Sequence, residues 1–200
     1  MVSIDPKHIE VPRLHRYLLG AVGPRPIAFA STIDTDGVSN LAPFSFFNAF
    51  SANPPILVFS PARSGRTNTT KDTYNNVKQL PEVVINVVNY ELVHQMSLAS
   101  SPYPSSTDEF VKSGLTPIAS ELVKPFRIKE SPVQFECRVN QVIELGDQGG
   151  AGNLIICEVL KIHISEDVLD EKGMIDQHKI DLVSRMGGNW YCRADENSMF

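Results

Sequence analysis

The stretch RPIAFASTIDTDGVSNLAPFSFF (25–47) decides the fold. RPIAFAST reads as a buried strand, and the D-x-D-G run Asp34, Thr35, Asp36 and Gly37 supplies turn chemistry beside apolar residues, a strong hairpin signal. VSNLAPFSFF then resumes as the returning strand. After a turn at Asn53, Pro54 and Pro55, the apolar run ILVFS (56–60) forms another strand, and VVINVVN (83–89) a further one. Between them the spacing of Tyr74, Val77 and Leu80 ahead of Pro81 predicts a helix, with Thr69 or Thr70 as its cap and Asp72 in its first turn. A second helix is expected over 90–99.

Further on, VQFECRVNQVI (133–143) alternates: Val133, Phe135, Cys137 and Val139 share one face, and Gln134, Glu136, Arg138 and Asn140 the solvent face. The Gly-rich turn GDQGGAGN (146–153) joins it to LIICEVLKIHI (154–164), a second hairpin. Residues 166–200 carry no clear pattern. Successive strands linked by turns, with few helices, fit a small antiparallel barrel with peripheral helices rather than a doubly wound sheet. With 200 residues, 42% of them hydrophobic, and no internal repeat, the chain is expected to form one domain, its core at about 20–165 and an extension at 166–200.

Composition excludes several classes. The longest apolar runs, such as VVINVV (83–88), are far shorter than the ~20 residues that span a bilayer, so no membrane role is expected. The N-terminus lacks an apolar secretion signal, which makes the cytoplasm the expected location. Cys137, Cys157 and Cys192 fit neither a disulfide framework nor a metal spacing, and read as free thiols. A net charge of −5 speaks against nucleic-acid binding. There is no G-x-S-x-G elbow, no H-E-x-x-H, no dinucleotide glycine fingerprint and no P-loop, so no catalytic nucleophile or metal site is assigned.

Two stretches remain. SPARSGRTNTTKDTYNN (60–76) places Arg63, Arg66 and Lys71 with hydroxyls at a helix start, which suits a phosphate and equally describes a solvated loop. NLAPFSFFNAFSANPP (40–55) sets Asn40, Ser45 and Asn48 among Phe44, Phe46, Phe47 and Phe50. A planar ligand could lie against Ala42 and Pro43, while core or subunit-interface packing also accounts for the phenylalanines.

Together, residues 23–89 resemble the flavin reductase-like, FMN-binding split-barrel family. The resemblance rests on RPIAFAST, the D-x-D-G turn, N-x-A-P-x-S, the P-P before an apolar strand, and K-D-T-x-x-N followed by V-I-N-V. Weaker likeness runs through EFVKSGLTPI (109–118) and ESPVQFECRV (130–139) to SRMGGNWY (184–191). It implies a mainly β, six-stranded antiparallel split barrel with short flanking helices, dimerised with a second copy, holding FMN noncovalently near the subunit interface. Asn40, Ala42, Pro43, Ser45 and Phe46 match the segment beside the flavin. Ser60, Arg63, Lys71, Asp72 and Thr73 match the phosphate loop and helix start, with Asp72 stabilising the helix N-terminus. Arg185, Gly187, Gly188 and Tyr191 match a C-terminal segment that reaches the flavin or the partner subunit. The implied activity is hydride transfer from NADH or NADPH to bound FMN and on to flavin or another small-molecule or protein acceptor. The alternative is an FMN-binding electron-transfer protein without NAD(P)H turnover, because Cys157 stands where many flavin reductases have Gly with a nearby His.

Overall fold

A computed structural model describes residues 1–199. The chain opens with helix α1 (Val11–Ala21), which was not among the expected elements. Then come β1 (Ala28–Ile33), β2 (Ser39–Phe44), β3 (Phe47–Ala52) and β4 (Pro55–Phe59), helix α2 (Asp72–Gln79) and β5 (Glu82–Val87). Helices α3 (Val93–Ala99) and α4 (Glu109–Ser113) precede the short strands β6 (Pro117–Ile118) and β7 (Arg127–Ile128). The long strands β8 (Val133–Glu144) and β9 (Asn153–Ile164) follow, and α5 (Gln177–Ile180), β10 (Val183–Arg185) and β11 (Tyr191–Arg193) end the chain. Among the described residues no helix is long and apolar enough to cross a membrane.

The fold is mainly β with a few helices, but its main sheet has seven strands rather than six, in the order β2-β1-β5-β8-β9-β4-β3, and its ladder does not close into a barrel. The extra strand comes from the stretch expected to return as a single strand. It breaks at Ser45 and Phe46, and the two halves, β2 and β3, become opposite edges of the sheet. A flat sheet of this width would hold its edges roughly 29 Å apart, whereas the link from Phe44 to Phe47 reaches roughly 11 Å. The sheet therefore curls to bring its two edges to this corner, and Ser60 N–H donates to the Phe46 carbonyl (2.9 Å), extending the β3–β4 pairing one step beyond Phe47 and Phe59. Ala28, Ala30, Phe59, Ile85, Cys137 and Cys157 form the core inside the curl. A second cluster, with Phe29, Leu41, Met96 and Phe110, seals α3 and α4 against the outer face.

The two hairpins form as their turns require. Asp34 Oδ1 accepts the N–H groups of Asp36 and Val38, and Gly37 takes φ +87°. β8 pairs along its whole length with β9, with two register shifts. Helix α2 is capped differently from expectation: Lys71, without a side-chain cap bond, is the N-cap residue, and the Thr70 hydroxyl donates to Asn75 Oδ1 (2.7 Å).

The face of β8 read as solvent-exposed is covered at its beginning, because residues 117–128 fold over it. Glu136 there is fully buried and Gln134 nearly so. Glu136 accepts N–H groups from Glu121 (2.9 Å) and Leu122 (2.6 Å), hydrogen-bonds His163 (2.7 Å) and lies 3.7 Å from Arg127 Nε. Burial alone would raise the pKa of this carboxyl. The two backbone donors and His163 outweigh burial and hold it below the usual carboxylate range. A depressed native pKa contributes stability that is present above the unfolded value near 4.3 and is lost as pH falls through the native one. Glu136→Gln should therefore cost about 1–3 kcal/mol in urea unfolding at pH 7, with the gap to wild type narrowing below about pH 4. An unchanged gap across that range would remove the ionised carboxylate from the account.

Candidate functional site

Edge strand β2 runs between two abutting cavities that share Pro43 and Ser100, each of about 170 Å³. One is walled by Ile27, Ser45, Met96, Arg185 and Tyr191. The other is walled by Asn40, Ala42, Lys71, Asp72, Thr73 and Glu109. Backbone pairing explains what β2 offers them. Leu41 N–H points away from β1 and donates to Glu109 Oε2 (3.0 Å), so Asn40 and Ala42, one residue to either side, turn their own amides into the ladder opposite Thr32 and Ala30. Pro43 has no N–H, which suits an edge. The backbone amides of Asn40 and Ala42 are thus committed to the sheet; Ala42 contributes a small side chain and Ser45 a hydroxyl.

At the α2 end, Asn40 Nδ2 donates to Thr73 Oγ1 (2.9 Å) and Thr32 Oγ1 (3.1 Å), and Asn76 Nδ2 also donates to Thr32 (3.1 Å). This buried network fixes the start of α2 against β1 and β2. Lys71 precedes the helix without an ion pair among the described residues, and no side chain caps the first-turn N–H groups. Uncapped donors and a free ammonium beside a cavity fit a phosphate monoester. Asp72 opposes it in charge but accepts from the Ser105 hydroxyl (2.9 Å) and stabilises the helix dipole. Glu109, which the sequence reading did not single out, is pushed up in pKa by burial, partly offset by the Leu41 N–H.

The other cavity receives the C-terminal segment. Arg25 and Arg185 exchange backbone hydrogen bonds (2.9 and 2.8 Å), which carries β10 to the foot of β1. The Arg185 guanidinium lies 4.5 Å from the centre of the Tyr191 ring and donates to the Gly188 carbonyl (2.6 Å). Gly187 lets this loop close on α1: an added Cβ would stand 3.1 Å from the Gly20 Cα.

Of the residues expected at the site, Asn40, Ala42, Pro43, Lys71, Asp72 and Thr73 share one cavity, and Pro43, Ser45, Arg185 and Tyr191 the other. Three line neither. Phe46 lies edge-on to His15, with ring centroids 6.1 Å apart. Ser60 is buried against Gly152, where a Cβ would meet its Oγ at 2.7 Å. Arg63 spends its guanidinium on Asn68, at 2.8 Å to Oδ1 and 2.6 Å to the carbonyl oxygen. Ile27, Met96 and Ser100 were missed because their place in the wall depends on how α3 docks, which no local pattern records.

The profile of the flavin reductase like domain matches residues 21–181. An uncharacterised protein of Aquifex aeolicus (strain VF5) is 38% identical over 188 residues, 94% of this chain and 93% of that one. Among solved structures, nitrilotriacetate monooxygenase component B from Bacillus cereus is similar with a TM-score of 0.90 and 30% identity, covering 96% of this chain and 95% of that one. Flavoredoxin of Desulfovibrio vulgaris (Miyazaki F) superposes with a TM-score of 0.75 over 86% of this chain and 87% of its own, and at 21% identity that likeness shows the fold alone.

The close passage at Gly187 gives a direct test of how the C-terminal segment is held. Gly187→Val should push the loop off α1, cost about 1–3 kcal/mol and speed proteolysis within residues 10–25. Unchanged cleavage and stability would mean that the loop does not depend on this contact.

Proposed function

Because the chain belongs to the flavin reductase-like family, we propose that it is an FMN-dependent oxidoreductase that takes a hydride from NADH or NADPH and passes electrons to a flavin or another acceptor. The observation that carries this reading is the pair of joined cavities along β2, with Lys71 and the uncapped start of α2 at one end and Ser45, Arg185 and Tyr191 at the other. Five residues of β-strand cover roughly 16 Å, a length suited to a phosphate, a ribityl chain and a flat ring in series. In this reading Lys71 and the α2 amides take the phosphate, Asn40 and Thr73 keep that end rigid, and Ala42 and Pro43 leave room for a ring. Ser45 reads the ring edge, while Arg185 and Tyr191 close the far end. Bound FMN would supply the two-electron chemistry; the protein orients it and limits access. Ser60 and Arg63 act indirectly, by shaping the loop before α2.

A second copy of the chain completes the site in this proposal. Helix α1 buries none of its residues: Leu18 is 49% exposed, Val22 just past its end 59%, and Phe50 on β3 68%. These apolar side chains suit a subunit interface. The reading also places the protein in the cytoplasm. An electron carrier without NAD(P)H turnover is the second reading, motivated by Cys157. Cys157 is fully buried between Leu57 and Val139, and burial pushes its thiol far up, so its departure from the reductase pattern changes the core and not a cavity wall.

The test is an anaerobic absorption spectrum of the FMN-loaded protein before and after NADH or NADPH. Bleaching by either supports the oxidoreductase, bleaching by dithionite alone supports the carrier, and no bound FMN rejects both. Lys71→Ala should weaken FMN binding by about 1.5–3 kcal/mol in a fluorescence titration. Sedimentation should give a dimer, and Phe50→Asp should shift it toward monomer with loss of FMN.

A further inference from the structure

Arg25 stands at the foot of β1 and is only 5% exposed, yet among the described residues its guanidinium makes no ion pair. Its partners are all neutral. Nη1 donates to the carbonyls of Leu19 (2.8 Å) and Val22, Nη2 to the Met186 carbonyl (2.9 Å), and Nε to Ser45 Oγ (3.3 Å). The charged neighbour that affects it is a second cation: burial and then Arg185 both push its pKa down. Carbonyls at the C-terminal end of α1 favour a cation there, and neutral donors could tie the same carbonyls with less desolvation. The unmatched positive charge therefore calls for a reason beyond the tie.

Ser45 supplies one. Its Oγ accepts from Arg25 Nε, which leaves the hydroxyl proton to be donated elsewhere, and Ser45 lines the cavity together with Arg185. Two guanidiniums, joined through paired backbone bonds, thus stand behind and beside one hydroxyl donor. A hydride brings two electrons and one proton, so a ring that accepts it carries one more negative charge until a second proton arrives from solvent. Positive charge and a fixed donor stabilise the reduced ring more than the oxidised one.

We propose that Arg25 is a positioning residue of the redox site: it holds Ser45 as a hydrogen-bond donor into the cavity and, with Arg185, favours the reduced, more negative form of the bound flavin. The inference rests on the flavin reading above. It is separable from that reading, because the reading concerns whether FMN binds and this concerns how its two redox states are weighted.

The experiment measures the midpoint potential of FMN-loaded protein by dye equilibration and the dissociation constant of oxidised FMN by fluorescence titration. The variants are Arg25→Gln, Arg25→Lys, Arg185→Gln, Ser45→Ala and the Arg25→Gln/Ser45→Ala double variant. Arg25→Gln should lower the affinity for reduced relative to oxidised FMN at least tenfold, which moves a two-electron potential about 30 mV more negative. Arg25→Lys should restore at least half of that shift, since the charge remains. Arg185→Gln, at a half-buried position, should move the potential in the same direction, which keeps the test decisive if Arg25→Gln does not fold. Adding Ser45→Ala to Arg25→Gln should shift the potential less than Ser45→Ala alone, since the two act through one hydrogen bond. Wild-type potential in Arg25→Gln, or in Arg185→Gln if the former does not fold, would overturn the proposal. So would an Arg25→Lys potential equal to that of Arg25→Gln. Failure of the wild-type protein to bind FMN would instead overturn the flavin reading, and is seen before any variant is made.

Discussion

Two residues, Ser45 and Phe46, carry the chain from one edge of a seven-stranded sheet to the other, and the architecture of the site follows from that short span. The sheet must curl, so the apolar faces of distant strands meet in one core and the edge strand β2 is left free to face α2, α3 and the C-terminal hairpin. The corner also fixes chemistry. Ser45 points into a cavity, while the carbonyl of Phe46 takes the N–H of Ser60 and so anchors the loop that leads to α2. The two abutting cavities along β2 are thereby tied through a single turn.

Electrostatics in this acidic chain are local rather than global. Glu136 is buried with two backbone donors, His163 and a nearby Arg127, a set that satisfies a charge and locks residues 117–128 over β8. Lys71, Arg25 and Arg185 show the opposite arrangement, cations beside the cavities without carboxylate partners among the described residues. Arg25 nevertheless holds the fold through four neutral acceptors, and the cavity wall that carries Lys71 also carries Asp72 and Glu109. What favours an anionic occupant at the α2 end is the ammonium of Lys71 together with the uncapped helix start, in a protein whose net charge of −5 would not suggest it.

Local chemistry made much of the fold legible. The D-x-D-G turn, the Gly-rich turn between β8 and β9, the strand over 83–89 and the helix after Lys71 each follow from turn residues or periodicity within about ten positions. The misreadings share a different cause. Nothing local says that the strand after Gly37 must end at Phe44, because Phe46 and Phe47 are as strand-compatible as Leu41; the break is set by the edge each half can reach. Gln134 and Glu136 alternate as solvent-facing residues should, and only the return of residues 117–128 buries them. Helix α1, by contrast, does carry a local signal, Pro12 in its first turn and Val11, Leu14 and Leu18 at helical spacing, which the stronger strand and turn signals after Gly23 overshadow. At the site, the K-D-T and N-x-A-P-x-S motifs located both ends of the groove, whereas the conversion of Ser60 and Arg63 into loop supports depends on Gly152 and Asn68, too distant or too ordinary to be read in sequence.

The same reasoning bears on hydride transfer. A sequence departure matters for substrate recognition only if the altered position reaches the substrate. Cys157 is paired on both sides within the sheet and packs in the core with Leu57, Val139 and Cys137, away from either cavity. The choice between an oxidoreductase and an electron carrier therefore falls to the groove walls. There, Arg185 over the Tyr191 ring is the feature best placed to discriminate, since it comes from the C-terminal segment, faces the cavity, and is held by a loop that Gly187 allows to approach α1. In the proposed reading a donor nucleotide would have to pass that segment to reach the ring, so the docking of the C-terminal hairpin, more than any core substitution, would decide what delivers electrons.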